Sequence, residues 1–222
     1  MLIWFIDIYG MKPTYGLISR YGNIPFASSF DAIGPLTNTA FDNAQLLNDL
    51  SSNDACDQTN FKPEGYDATN LIGKDVKGLK VGILKEWEEV EINPTIRKGI
   101  NDQLQHLRDL GIEIKEYSVP SAKYAFELYI TLAYAEGSSN ANRYDGIRFG
   151  KNSVVDNKVN YEHARSFFGQ EVKKRLIVGT YMLASEHSKV NFDHAQRVRQ
   201  SMSDGFDAIF KEVDLIIGPT TP

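Results

Sequence analysis

The chain has 222 residues, of which 24 are Lys or Arg and 29 are Asp or Glu, so its formal net charge is −5. A chain of this length buries roughly 70% of the surface that it exposes when unfolded, enough for a core without crosslinks. Its single cysteine, Cys56, excludes an internal disulfide and a cysteine-based zinc or iron–sulfur site. The acidic balance argues against broad binding to phosphate backbones, but a local basic patch or a nucleic-acid-binding partner protein stays open.

The N-terminal residues MLIWFIDI form an apolar run that Asp7 interrupts. The run is too short to cross a bilayer, which needs about 20 apolar residues. It also lacks the basic region and the cleavage site of a signal peptide. Its length is typical of a buried strand. We therefore expect a cytoplasmic protein without membrane contact, or one of an organellar matrix if the source is eukaryotic.

The next segments alternate between turns and one short helix. Residues 9–37 are rich in Gly, Pro, Ser and Tyr, which predicts turns and short extended pieces. Apolar residues spaced by three predict a helix over 42–50. Residues 51–75 are polar and are predicted to form a surface loop.

Residues 79–117 carry the pattern of a strand, a helix and a second strand. LKVGIL at 79–84 predicts a buried strand. Asn93 followed by Pro94 is a helix-start signal, and Gly111 is a helix-stop signal. IEIKEY at 112–117 alternates and predicts the second strand. Strands joined by a helical crossover run parallel.

The remaining chain is predicted to be mostly helical, with helices over about 122–143, 169–186 and 192–212 separated by polar loops. VDLII at 213–217 predicts a third strand that stops at Gly218 and Pro219. Loops that follow parallel strands are where α/β folds usually place ligands. The fold class predicted from these elements is α/β.

Histidines and phosphate-binding loops give no strong site. His106, His163, His187 and His194 form no tight metal-ligand pair, although the last two would lie two turns apart on an unbroken helix. We interpret all four as surface or capping residues. No GxGxxG follows a strand and no GxxxxGK[ST] occurs, which disfavours nucleotide binding.

The serine pairs Ser28–Ser29 and Ser138–Ser139 are the sequence's candidates for a nucleophile. A serine nucleophile needs a neighbouring base, and no GxSxG motif or nearby base is evident. We interpret these serines as turn or capping residues.

The stretch NRYDGIRFG is the best candidate for binding a small anion. Arg143, at the end of a predicted helix, could hold a carboxylate through two parallel hydrogen bonds. The other interpretation is that Arg143 neutralises the helix C-terminus, with Asp145 as its partner. Spacing leaves both interpretations open.

Four stretches of the chain resemble the amidase-signature enzymes: KPTYGLISRYGNIPFASSFDAIGPLTNTAFDNAQLL at 12–47, KGLKVGILKEW at 77–87, YAEGSSNANRYDGIRFG at 134–150, and GQEVKKRLIVGTYMLA together with VDLIIGPTTP. Within this family they resemble the A subunits of glutamyl-tRNA(Gln)/aspartyl-tRNA(Asn) amidotransferases, since simpler amidases rarely have SSNxxRYDG. The resemblance covers residues 10–222 and leaves 1–9 as an atypical start. It implies one partial amidase domain over 1–222, truncated at both ends.

This resemblance implies an α/β amidase-signature fold, with a mixed sheet core flanked by helices and incomplete in this chain. In the family a Lys and two Ser hydrolyse glutamine, and the ammonia passes to a B subunit. The B subunit uses ATP and Mg²⁺ to amidate a misacylated tRNA, and a C subunit ties the two together. The expected partners are thus glutamine, the B and C subunits, and tRNA through the B subunit, with no cofactor in this chain.

The family's catalytic residues precede the KPTYG motif, where this sequence has the unmatched MLIWFIDIY. We therefore carry over no catalytic residue and expect the isolated chain to be inactive. By resemblance, Arg143 holds the α-carboxylate of glutamine. The acidic residue that binds the α-amino group of glutamine in the family would lie beyond Pro222. The alternatives are a stand-alone amidase of the same family and a non-enzymatic α/β binding module.

Overall fold

The computed structural model describes residues 8–151, 154–155, 158–159, 161–184 and 186–220. Residues 1–7 of the predicted N-terminal strand therefore lie outside the described residues. The elements in chain order are β1 (Tyr9–Gly10), β2 (Leu36–Thr37), α1 (Ala40–Leu50), β3 (Lys80–Leu84), α2 (Lys85–Glu88), α3 (Pro94–Asp109), β4 (Glu113–Tyr117), α4 (Ala125–Ala141), β5 (Val154–Val155), β6 (Lys158–Val159), α5 (Tyr161–Ser166), α6 (Gln170–Leu183), α7 (Phe192–Ile209) and β7 (Leu215–Ile216).

The chain divides into two compact units. The first comprises residues 1–21, 32–123 and 200–222, and the second comprises residues 22–31 and 124–199. Both units are therefore discontinuous in the sequence, and α7 contributes residues to each.

A three-stranded parallel sheet in the order β4–β3–β7 lies in the first unit. Val81 on the central strand pairs with Ile114 on one side and Leu215 on the other. The prediction that the strands on either side of α3 are parallel is confirmed. The antiparallel pairs β1–β2 and β5–β6 form separate two-stranded sheets.

Helix α3 begins and ends where the sequence signals predict. The Asn93 side-chain oxygen accepts a hydrogen bond from the Thr95 amide at 2.9 Å, and Pro94 occupies the first turn, where no amide hydrogen is needed. Gly111 has a φ of +82°, a conformation that glycine adopts without a steric penalty. These end signals fix the length of the crossover between β3 and β4.

The last strand is shorter than the predicted 213–217 because only Leu215 and Ile216 pair as a regular ladder. Single hydrogen bonds continue the alignment on both sides of it. The Asp214 amide donates to the Lys80 carbonyl at 2.9 Å, and the Ile217 amide donates to the Gly82 carbonyl at 2.9 Å. Residues 214–217 are therefore aligned with β3.

The main core of the first unit lies beside the sheet and is built by Leu84, Val119, Ile209 and Val213. Burying an aliphatic side chain of this size stabilises the fold by roughly 1.5–3 kcal/mol. A second cluster, of Leu17, Ile18 and Leu47, lies against the inner face of α1.

The second unit is organised around α4 and α6, which pack directly on each other. At Gly179 on α6, a Cβ atom would lie 1.8 Å from the Tyr134 carbonyl oxygen on α4. Only glycine therefore allows the two helix backbones to approach this closely. Helix α5 and the β5–β6 pair occupy a segment that the sequence predicts as a polar loop.

Among the described residues, no helix is both long enough and apolar enough to span a bilayer.

Candidate functional site

The predicted anion-binding segment lies in the second unit, at the C-terminal end of α4. The end of α4 connects two pieces of chain there: Asn140 on α4 contacts the segment 22–31, and the loop 142–151 follows the helix directly. Polar side chains on α4 form hydrogen bonds with the segment 22–31 and hold it against the helix. We take this meeting of segment, helix and loop as the candidate site.

Arg143 is exposed in the loop directly after α4. Its Nε donates a hydrogen bond to the Asn140 carbonyl in the last helical turn at 3.2 Å. This contact satisfies one of the carbonyls that a helix end leaves without an intrahelical partner. Within the described part of the chain, no carboxylate forms an ion pair with Arg143. Its terminal nitrogens therefore remain available for a ligand.

Asp145 does not pair with Arg143, contrary to the second interpretation of the sequence. Its carboxylate accepts hydrogen bonds from the amides of Ile147 at 2.8 Å and Arg148 at 3.0 Å. The Arg148 Nε lies 3.6 Å from the same carboxylate. The backbone hydrogen bonds, first of all that of Ile147, lower the pKa of Asp145 below its usual value. Asp145 thus shapes the loop that carries Arg143 and leaves the arginine unneutralised.

Asn140 connects the end of α4 to the segment 22–31. Its side-chain amide donates to the Phe26 carbonyl at 3.0 Å and to the Ser28 hydroxyl at 2.9 Å. Because its own carbonyl accepts from Arg143, one residue links the segment, the helix end and the candidate ligand-binding side chain.

The neighbouring Ser29 is held by two charged side chains. Its amide and its hydroxyl donate to the two carboxylate oxygens of Glu136, at 2.9 Å and 2.5 Å. Arg199 Nη1 donates to the same hydroxyl at 3.3 Å, and its guanidinium lies 4.7 Å from the Phe30 ring centroid. These contacts hold the segment around Ser29 in place, which agrees with the interpretation of this serine as a turn residue.

Close packing against α4 places the segment 22–31. At Gly137, an added Cβ would come within 2.6 Å of the Phe26 ring. The missing side chain at this position lets the ring lie directly on the helix. The sequence signal for this contact, a glycine inside a predicted helix, is visible but does not say which ring covers it.

Arg175 is a second arginine of the same unit, and the sequence patterns do not reveal its role. Its guanidinium lies 5.7 Å from the Phe26 ring centroid and 5.4 Å from that of Tyr134, within the range of cation–π attraction. Its Nε donates to Glu171 at 2.9 Å, and this hydrogen bond raises the pKa of the guanidinium. The Glu171–Arg175 spacing is readable from the sequence, but the two rings come from distant segments.

The four histidines lie on α3, on α5, in the turns before α7 and on α7. His187 precedes α7 and stacks on Tyr181, with ring centroids 4.2 Å apart, so His187 and His194 are not on one unbroken helix. In the described ranges, no group of three or more His, Cys, Asp or Glu side chains could hold a metal ion.

Comparison with known proteins places this geometry in a family. The Amidase family model matches residues 5–222. The A subunit of the glutamyl-tRNA(Gln) amidotransferase of Staphylococcus saprophyticus is 40% identical over 221 residues, covering 98% of this chain and 46% of the relative. The protein of the same name from Streptococcus suis is 42% identical over 221 residues, covering 98% of this chain and 45% of the relative. The chain therefore spans somewhat less than half the length of these relatives.

Solved structures of amidase-family proteins have the same fold. The crystal structure of the glutamyl-tRNA(Gln) amidotransferase A subunit from Thermotoga maritima superposes with a TM-score of 0.71 at 30% identity, covering 97% of this chain and 44% of that one. A peptide amidase from Stenotrophomonas maltophilia shares the fold at 21% identity and a TM-score of 0.67, covering 96% of this chain and 45% of that one. The chain belongs to the amidase family.

Proposed function

We propose that this chain forms part of the glutamine-hydrolysing A subunit of a glutamyl-tRNA(Gln) amidotransferase. The observation that carries the proposal is the 40% identity, over nearly the whole chain, to proteins of that name. The Thermotoga maritima structure of the same name supports it at the level of the fold. A stand-alone amidase is less favoured, because the more distant amidase structures share only the fold.

In this proposal the chain contributes to substrate binding and the ATP-dependent chemistry lies elsewhere. Glutamine is hydrolysed to glutamate and ammonia, and a B subunit uses ATP and Mg²⁺ to amidate Glu-tRNA(Gln). A C subunit joins the two, and the assembly is cytoplasmic.

Arg143 is the residue that we propose for binding the α-carboxylate of glutamine. Arg143 is exposed, it lies in the SSNxxRYDG stretch that resembles the family, and no carboxylate of the described residues neutralises it. The hydrogen bond to Asn140 occupies Nε and leaves the two terminal nitrogens for a carboxylate. Guanidinium and carboxylate groups form two parallel hydrogen bonds in such pairs.

The test is Arg143→Ala within a full-length A subunit of an assembled amidotransferase, because the isolated chain is expected to be inactive. A charge-assisted hydrogen bond contributes about 1.5–3 kcal/mol, so we expect KM for glutamine to rise roughly 10- to 100-fold. The reaction driven by free ammonium should keep its rate, because it bypasses glutamine. Arg148→Ala is the matched control: its guanidinium is exposed and pairs with Asp145.

Equal loss with glutamine and with ammonium would instead give Arg143 a structural role. An unchanged KM in Arg143→Ala, together with a raised KM in Arg175→Ala, would move the carboxylate site to the half-buried arginine between Phe26 and Tyr134. Purification of the active chain without B and C subunits would contradict the assembly itself.

A further inference from the structure

The charge of the chain is distributed unevenly. Residues 143–175 contain eight Lys or Arg and four Asp or Glu, so this stretch carries +4 in a chain whose total is −5. The whole stretch belongs to the second unit. An acidic protein thus contains one basic region, and net charge alone hides it.

Four cations of this region form what we call the basic surface: Lys151, Arg165, Lys173 and Lys174. Lys151, Arg165 and Lys173 each make a contact within α5 or next to it. Lys151 Nζ lies 3.9 Å from the Phe167 ring centroid, and Lys173 Nζ donates to the Ser166 carbonyl at 3.0 Å. Arg165 Nη2 donates to the Asn142 side-chain oxygen at 3.1 Å. Lys174 is exposed beside Lys173 on α6.

These cations are not neutralised by ion pairs within the part of the chain that the structure describes. The ion pairs of the region join Arg148 to Asp145 and Arg175 to Glu171. None joins a carboxylate to a member of the basic surface. Glu162 lines the same depression of about 340 Å³ as Arg165 and Lys173, yet makes no ion pair with either. The described residues therefore leave these four cations without an ion pair, and beside the hydrogen bond from Arg175 the charge of Lys174 contributes to the lowered pKa of Glu171.

Exposed aromatic rings alternate with these cations along the chain. Phe149 and Tyr161 are each more than half exposed. Phe167 is also half exposed, but Lys151 lies over its ring and the His163 ring packs against it. Large apolar rings open to solvent beside positive charges without ion-pair partners are typical of surfaces that bind nucleic acid, where the cations contact phosphates and the rings stack on bases. An acidic protein partner would explain the charges but would not require open ring faces.

We propose that the basic surface binds RNA that has an unpaired segment, with phosphates on the four cations and bases on the exposed rings. This goes beyond the proposed function, in which the B subunit holds the tRNA. The binding described here is a direct contact made by this chain.

The experiment measures the fluorescence anisotropy of a labelled RNA hairpin with a four-nucleotide unpaired tail, titrated with the full chain between about 50 and 200 mM salt. We expect a Kd of roughly 1–100 µM, and a slope of log affinity against log salt of about −3. The triple variant Lys151→Ala/Lys173→Ala/Lys174→Ala should weaken binding at least about 10-fold at the lowest salt concentration and make the slope shallower by about 2.

Two further variants separate charge from stacking. The control Lys74→Ala/Lys98→Ala/Lys211→Ala removes the same charge from exposed positions of the first unit and should change Kd less than about twofold. Tyr161→Leu should weaken binding about fivefold or more without changing the salt slope, because stacking involves no counterion release. Thermal melting confirms that each variant is folded.

Three results would overturn the proposal. One is no anisotropy change at the lowest salt concentration, and another is an equal loss of affinity in the control triple variant. The third is competition by a poly-glutamate peptide as strong as that by unlabelled RNA, which would indicate an acidic protein partner. The assay contains no glutamine and detects no ammonia, so its failure is distinct from a failure of the proposed glutaminase function.

Discussion

Ser29 donates both its amide hydrogen and its hydroxyl hydrogen to the two carboxylate oxygens of Glu136, at 2.9 Å and 2.5 Å. The two residues are 107 positions apart in the sequence, and the pair joins the two separate pieces of chain that make up the second unit. Hydrogen bonds to a charged group stabilise a protein more than neutral ones do.

Glu136→Ala is therefore expected to lower the free energy of unfolding by about 1–3 kcal/mol, because it leaves a partly buried amide and hydroxyl with one acceptor fewer. Urea unfolding measures the change. Glu186→Ala, at an exposed position of the same unit, is the control and should stay within about 0.5 kcal/mol of the parent chain. An equal loss of unfolding free energy in both variants would show that the Ser29–Glu136 pair contributes no more than a surface residue.

Glu86 is a buried carboxylate after β3, and the Ser118 hydroxyl donates to it at 2.5 Å. Burial raises its pKa, but the hydrogen bonds from Ser118 and the backbone outweigh this and leave the pKa below 4.5. Because the folded-state pKa is depressed, its contribution to stability is complete above pH 4.5 and is lost as pH falls through the folded pKa.

In Glu86→Gln this part of the acid dependence of stability should disappear, and the free energy of unfolding at neutral pH should fall by about 1–3 kcal/mol. Urea unfolding at about pH 7, 5 and 4 measures both effects. A variant that loses stability in parallel with the parent chain over the acidic part of this range would contradict the assignment.

Asp57 organises the loop that follows α1. It accepts hydrogen bonds from the Thr59 hydroxyl at 2.7 Å, the Arg20 amide at 2.8 Å and the Thr59 amide at 2.9 Å. These bonds, the Thr59 hydroxyl first, lower its pKa from 3.8 to about 2.

In Asp57→Asn we expect faster hydrogen exchange at the Arg20 and Thr59 amides at about pH 5, where the parent carboxylate is charged. The parent chain should lose this protection as pH falls from 3.8 through about 2, whereas the variant should show no such titration. Amide exchange followed by NMR separates the two. Protection that is unchanged by the substitution would mean that other contacts hold the loop.

Gly179 and Gly99 form a matched pair of helical glycines. A methyl group at 179 would meet the Tyr134 carbonyl oxygen at 1.8 Å, whereas at 99 it would meet no atom within 4 Å. Gly179→Ala should therefore lower the free energy of unfolding by about 1–3 kcal/mol or more, while Gly99→Ala should raise it by about 0.5–1 kcal/mol. Thermal and urea unfolding of both variants give the signs. Stabilisation by both substitutions would refute the close α4–α6 contact.

The isolated chain is expected to release no ammonia from glutamine. Ser29, one of its candidate nucleophiles, has a carboxylate and a guanidinium as its hydrogen-bond partners. An ammonia-release assay on the purified chain checks this. Saturable turnover that is specific for glutamine would contradict it.

Local signals predicted much of the first unit because they act within a few residues. Asn93, Pro94 and Gly111 determine the ends of α3 through their own side chains and backbone preferences. The parallel pairing of β3 and β4 then follows from the connection between them.

The second unit was harder to predict because its contacts are distant in sequence. The single mid-helix Gly179 gives no sign that Tyr134 lies behind it, and Arg175 gives no sign of the ring of Phe26. The sequence shows two arginines, Arg143 and Arg148, close enough to pair with the carboxylate of Asp145. In the structure the backbone geometry of the loop places Arg148 beside it. Spacing alone could not decide between them.

The discontinuity of the second unit has a consequence for its biosynthesis. Ser29 meets Arg199 only after 170 further residues have been added. At about 5–20 residues per second, the segment 22–31 leaves the ribosome about 10–30 s before its last partner is made. During translation this segment, with Phe26 and Phe30, is therefore exposed to chaperones and to misfolding for longer than any part of the βαβ portion, whose strands β3 and β4 emerge within seconds of each other.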